Sequence, residues 1–287
     1  MSAATDLART LARSSFIELS GRERARAILD PQGQTELLGP FERLHSPWLE
    51  LQGIVPQEDD GVVIVRGLMD GHPAVAIAIE SRFQGGSMGE IAGTKIACTL
   101  ELALRDHERG VPTRPVLLLE TGGVRLQEAN LGLAVIAEIH AGIVALRRRV
   151  PVVAAVAGMV GCFGGMSLAA ALCSHTIMTR QARLGMNGPE VIEQEAGIDE
   201  LDASDRAMVW SLVGGEQRHA VGLADTLVDD DVDAMSAAVR EAFRRGLPAR
   251  HRSEQVDLYL RRIAAIDPAQ PLDGGGLRRL WANGGGR

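Results

Sequence analysis

Cysteine is scarce in this sequence. Cys98, Cys162 and Cys173 are an odd number, lie in apolar stretches and show no C-x-x-C spacing. That excludes a zinc ribbon or a disulfide framework and points to a reducing compartment, so a cytoplasmic location is expected. The seven histidines are scattered, with no H-x-x-x-H and no paired carboxylates beside them, so no metal is expected. Positive charge is in deficit: 30 Lys and Arg against 37 Asp and Glu leave a net charge of −7. Arg147-Arg148-Arg149 is the one short basic cluster and reads as a solvated helix end, which excludes bulk nucleic-acid binding. No apolar h-region opens the chain, so no signal peptide is expected. Val150 to Cys173 carries no charge and follows those arginines, as a membrane span would. Pro151, Gly158, Gly161, Gly164 and Gly165 interrupt it, however, and it reads as a buried strand–loop–helix with no membrane partner.

The 287 residues, 46% hydrophobic and 23% charged, suffice for one large domain, expected over 1–265, with a flexible Gly/Pro-rich tail over 266–287. Residues 1–19 read as a loosely amphipathic lead-in. Ser20-Gly21-Arg22-Glu23 reads as a capping box opening a short helix towards Leu29. Val62–Val65 and Ala74–Ile79 read as strands joined by an Asp70-Gly71 turn. In the second strand Val75, Ile77 and Ile79 alternate with Ala74, Ala76 and Ala78, so one apolar face is nearly flat and admits a close layer. Three strand–glycine–helix units then follow one another. Each has a glycine turn, at Gly85–Gly89, Gly122–Gly123 and Gly158–Gly165, and the alternation predicts parallel strands with right-handed crossovers. Residues 188–265 read as largely helical, and Leu277, Leu280 and Trp281 as apolar positions by which the tail docks on a partner.

Gly85-Gly86-Ser87-Met88-Gly89 also matches the G-x-S-x-G elbow of a serine hydrolase. Ser81-Arg82-Phe83-Gln84 intervene between the preceding strand and this run, and neither His219 nor His251 sits in a catalytic turn, so Ser87 is expected to be no nucleophile. No G-x-G-x-x-G follows any strand, and Gly93-Thr94-Lys95 lacks P-loop spacing. Glycine turns can be mere tight packing. Arg125 at a helix start is unexplained by that, since the helix dipole disfavours a cation there; a Glu128 partner would offset it, but a phosphate or carboxylate ligand explains it better. Two glycine-flanked helix starts brought together would offer two N–H donors to one oxygen, an oxyanion hole suited to a thioester enolate.

FQGGSMGEIAGTKI resembles the carboxyltransferase segment of acyl-CoA carboxylases, with its F-x-G-G-S-x-G run. ETGGVRLQEANLGL resembles that family's S-G-G-A-R-x-Q-E stretch, GRERARAILDP its A-R-E-R-I lead-in, and NGPEVIEQEAG its G-P-R-V-I-E-Q motif, with Glu190 where Arg is usual. The four run in the family's order from Gly21 to Gly197. Within the family the sequence is most similar to the beta subunits of malonate decarboxylases, and unlike the zinc-ribbon subunit of bacterial acetyl-CoA carboxylase.

The resemblance implies an α/β fold, a crotonase-like superhelix of ββα units with a helical C-terminal region. It implies decarboxylation of a malonyl thioester to acetyl thioester and CO2, with no cofactor bound directly. The substrate would ride on the CoA-derived prosthetic arm of an acyl carrier subunit. A gamma-like carboxyltransferase subunit would supply the other half of the site, and an alpha acyl-transfer subunit would complete the wider complex. Gly86, Ser87, Gly123 and Val124 are the expected catalytic donors. Gly85, Met88, Gly89, Gly122, Arg125, Gly161, Gly164 and Gly165 are expected to bind substrate, Arg125 by the phosphate-bearing arm. Two alternatives share the fold: the beta half of a biotin-dependent acyl-CoA carboxyltransferase, and a non-catalytic scaffold subunit.

Overall fold

Ser20 accepts the backbone N–H of Glu23 while the Glu23 carboxylate accepts that of Ser20, so the capping box forms as expected and starts helix α1 (Gly21–Ala27). The coordinates are a computed structural model describing residues 13–270 and 272–283. The lead-in before residue 13 and the terminal Gly284-Gly285-Gly286 lie outside the described residues.

Strand β1 (Thr35–Leu37) and the short helix α2 (Pro47–Glu50) precede a hairpin of β2 (Val62–Met69) and β3 (His72–Ile79). Asp70 and Gly71 both adopt positive φ, 51° and 73°, the type I′ turn that suits the twist of a hairpin. Helix α3 (Glu90–Glu108), β4 (Arg114–Leu118), α4 (Asn130–Leu146), β5 (Val153–Val156), α5 (Gly165–Leu172) and β6 (His175–Thr179) follow. Then come α6 (Pro189–Ala196), α7 (Arg206–Val213), α8 (Gly215–Ala220), β7 (Thr226–Val228), α9 (Val232–Arg245), α10 (Val256–Ala264) and α11 (Gly274–Asn283). The seven strands lie in sequence order; β1–β2 and β2–β3 pair antiparallel, and every later pair is parallel. The helices between β3 and β7 make the crossovers that parallel pairing demands.

Both faces of the sheet are covered. Val75, Ile77 and Ile79 join the core formed with Ile96 and Leu100 of α3, Ile139 and Ile143 of α4 and Met166 of α5. Ala74, Ala76 and Ala78 meet the opposite core, with Ala25 of α1 and Met235, Val239 and Phe243 of α9. The flat alanine face admits α1 closely: a Cβ on Gly21 would lie 3.3 Å from the Ile79 carbonyl oxygen.

Beyond the strands' carboxyl ends a second layer of bridges stacks the turns, pairing Met88 with Val124, Thr121 with Cys162, and Cys162 with Leu184. Sheet strand, bridged turn and helix repeat as the expected ββα superhelix. Two details differ from expectation. β1 and β7 are three residues each, too short to carry a periodic signal. Residues 274–283, placed in a flexible tail, form a helix that is tied down: Gln217 donates to the Gly274 carbonyl at 3.0 Å, and the Arg262 guanidinium lies over the Trp281 ring. Val150 to Cys173 is the expected strand, loop and helix, and among the described residues no helix is long and apolar enough to cross a membrane.

Candidate active site

The first glycine turn closes on itself. The Gly86 amide donates to the Phe83 carbonyl at 2.9 Å, Ser87 to Gln84 at 3.1 Å, and Met88 to Gly123 at 2.8 Å. Gly86 and Ser87 were expected as catalytic donors; their N–H groups are spent on backbone carbonyls of the turn. Gly85 and Gly86 adopt positive φ, 62° and 69°, and a Cβ on Gly86 would overlap the Glu120 carbonyl oxygen. Ser87 Oγ accepts from Arg125 Nε at 3.3 Å and has no histidine partner among the described residues, so no hydrolase elbow forms there.

The start of α3 does face anions, and they are the protein's own. The Glu90 amide donates to Glu128 at 2.6 Å and the Ala92 amide to Asp60 at 2.9 Å. Both carboxylates are fully buried and share the Arg125 guanidinium, at 2.8 Å from Asp60 and 2.9 Å from Glu128. Arg125 also donates to the Ser87 carbonyl at 2.9 Å and lies over the Phe83 ring. This corrects the expected arm contact: Arg125 is 1% exposed and its charge is matched inside the fold. Burial pushes the Asp60 carboxyl up, and the Arg125 charge opposes that. Met88 and Gly89, also expected at the substrate, are buried: Met88 packs in the core, and a Cβ on Gly89 would overlap the Glu128 carboxylate. Lys95, too, is structural. It donates to the carbonyls of Leu38, Asp59 and Val62, and burial pushes its ammonium down.

The second and third turns behave differently. Thr121 donates to the Gly161 carbonyl at 2.8 Å and Phe163 to that of Thr121 at 3.0 Å, binding the two together. The Gly123 amide is held by Thr121 Oγ1 at 3.0 Å. The Gly123 carbonyl and the Arg125 amide both turn towards Met88, so the Val124 amide between them points the opposite way, towards the third turn. Gly123 and Gly164 touch: a Cβ on Gly164 would lie 3.1 Å from the Gly123 Cα and 3.9 Å from the Val124 nitrogen. Gly164 donates to the Met186 carbonyl at 2.8 Å and caps α5 without a side chain. The next amide, Gly165, has no partner among the described residues, as befits a first helical turn. Of the expected set, the structure therefore brings together Gly123, Val124, Gly164 and Gly165. Gly161 supports them through its carbonyl. Gly122 is exposed but spends its amide on the Gly85 carbonyl at 2.9 Å.

The arrangement is a pair of amides without a partner among the described residues, at a glycine–glycine contact, one of them at the positive end of a helix. It suits stabilisation of an oxyanion.

Residues 21–268 match the carboxyl transferase domain family, which is most of the chain. The chain belongs to the carboxyl transferase family. It is 38% identical over 291 aligned positions, 94% of its length and 89% of the relative's, to the malonyl-S-ACP:biotin-protein carboxyltransferase MADC of Malonomonas rubra. It is 34% identical to the methylmalonyl-CoA carboxyltransferase 12S subunit of Propionibacterium freudenreichii subsp. shermanii, over 67% of this chain and 36% of that protein. Among solved structures, a chain of a Pseudomonas malonate decarboxylase hetero-tetramer in complex with malonate is 62% identical. It superposes with a TM-score of 0.93, covering 96% of this chain and all of that one. A chain of the Pseudomonas malonate decarboxylase MdcD–MdcE hetero-dimer is 55% identical, with a TM-score of 0.75 over 88% of this chain and 98% of that one.

Sequence reasoning did not place Asp60, Glu120, Arg24 or His140 at these turns. His140 contacts the Gly165 carbonyl at 2.8 Å, and Arg24 pairs with Glu120. The adjacent acids Asp59 and Asp60 directly before a buried strand were the one available signal, since burying two carboxylates requires partners.

Proposed function

We propose that the chain is the beta subunit of a malonate decarboxylase. It takes a malonyl thioester on the prosthetic arm of an acyl carrier subunit and completes its site with a gamma-like subunit. The bond from the α-carbon to the carboxylate breaks, CO2 leaves, and the electron pair passes into the thioester as an enolate. Protonation at that carbon gives the acetyl thioester. The amides of Val124 and Gly165 hold the enolate oxygen, each donor contributing about 3–4 kcal/mol in the transition state. Gly123 and Gly164 let the two backbones approach. Bond cleavage itself needs no general base.

The observation that supports this most is the contact of Gly123 with Gly164, which aims a free amide at the start of α5. The high identity to a malonate decarboxylase chain favours decarboxylation over the biotin-linked transfer named for the more distant Malonomonas protein.

The test is CO2 release from malonyl-loaded acyl carrier protein by the chain co-purified with its gamma-like and carrier partners, with avidin in a parallel arm. Turnover by the complex, none by the isolated chain and no effect of avidin are expected. Inhibition by avidin would favour the biotin-dependent reaction. Normal turnover after disruption of the glycine turns would leave a scaffold role.

A further inference from the structure

We infer that Glu120, neutralised by Arg24, is a positioning residue that keeps the two donor turns in register, an inference that rests on Val124 and Gly165 being the enolate donors. Glu120 immediately precedes the second turn and is 5% exposed. Its backbone carbonyl lies against Gly86, where a Cβ would overlap it, and its carboxylate lies against Gly158, where a Cβ would overlap that. Glu120 Oε1 accepts the Val160 amide at 3.3 Å, and Glu120 Oε2 accepts from Arg24 Nη1. One residue thus touches the first and third glycine turns and leads directly into the second.

Arg24 supplies the charge from the other side of the sheet. It stands on α1, with Nε donating to the Phe16 carbonyl at 3.0 Å, Nη2 to that of Ile17, and its plane over the Phe16 ring. The lead-in helix is thereby fastened to the donor turns across a sequence separation of 96. A buried ion pair is poor value for stability, because apolar residues of similar volume often serve as well. What apolar residues cannot supply is the acceptor for Val160 or the shape that seats Gly158. A donor displaced by about 1 Å loses up to roughly 100-fold in rate.

The experiment compares the assembled complex carrying wild-type chain, Glu120→Gln, and the double substitution Arg24→Met with Glu120→Leu. Glu120→Gln keeps an acceptor for Val160 but strands the Arg24 charge. The double substitution removes both charges and restores much of the stability, yet removes the acceptor. Expected is a kcat lowered about 10- to 100-fold in the double variant, with KM within about twofold of wild type, because the donors act on the transition state. Glu120→Gln is expected to fall between the two in kcat while melting lowest. Hydrogen exchange is followed in peptides covering 121–124 and 158–165, and is expected to quicken in both segments in the double variant. A double variant with wild-type kcat, or with unchanged exchange in these segments, overturns the inference. A wild-type complex that releases no CO2 instead overturns the decarboxylase reading, and the exchange data still decide whether Glu120 holds the turns.

Discussion

Replacing Arg125 with Met separates a structural role from a ligand-binding one. The guanidinium stands between two carboxylates with no exposed side-chain surface, Asp60 and Glu128, whose remaining oxygens cap the start of α3. Removing the cation leaves two negative charges facing each other in the interior. Breaking a buried pair this way costs about 3–5 kcal/mol, against about 0–1 kcal/mol for an exposed pair. For a chain of this size each kcal/mol moves Tm by about 2–4 °C, so a loss of roughly 6–20 °C is expected. Thermal denaturation of the full chain measures it. Adding Asp60→Asn and Glu128→Gln to Arg125→Met should recover most of the loss, because the damage lies in the uncompensated charges. An Arg125→Met chain that melts within 2 °C of wild type and shows only a raised KM for the carrier-bound substrate would refute the reasoning and return Arg125 to the ligand.

Gly123→Val should cut turnover of the assembled complex about 10²–10³-fold, the scale of one lost oxyanion donor; φ at Gly123 is 117°, a region barred to β-branched residues, so the Val124 amide must turn away. Wild-type turnover by that variant would remove Val124 from the site. Native alkylation should label Cys98 alone: it is exposed, whereas burial pushes the Cys173 thiol up to about 12 and the Cys162 thiol higher still. Labelling of a second cysteine without denaturant would contradict the packing around α5. His251 is held below its ordinary value by burial and by the nearby Arg147 charge. The unfolded chain therefore binds the proton more readily, and this contribution to stability, complete above about pH 6.5, is lost as pH falls. Melting curves from pH 7.5 to 5 should show a decline that His251→Gln shallows; an equal decline in both would discount the histidine.

Much of the architecture is written locally. Ser20 and Glu23 are three residues apart, so their capping box is fixed by spacing alone, and Asp70-Gly71 supplies the two positive-φ residues its hairpin needs. The alternation of Val75, Ile77 and Ile79 with three alanines determines which layer lies close to β3, and the repeated glycine turns lie beyond the strands' carboxyl ends. Which amides face a ligand is not local at all. In the first turn the amides of Gly86, Ser87 and Met88 meet carbonyls of the turn itself or of Gly123. The anion at α3 turned out to be Asp60 and Glu128, the former separated by 65 residues from the arginine that neutralises it. A charge at a helix start has the same sequence signature whether its partner is a substrate or a distant carboxylate, because both satisfy the same Coulombic demand. Likewise a glycine is selected equally by a tight turn, by the Glu120 carboxylate pressed on Gly158 and by the contact of Gly123 with Gly164. Sequence therefore determined most of the elements, their order and the class of chemistry. Only the packing of three turns against one another decided that the Val124 and Gly165 amides have no partner among the described residues.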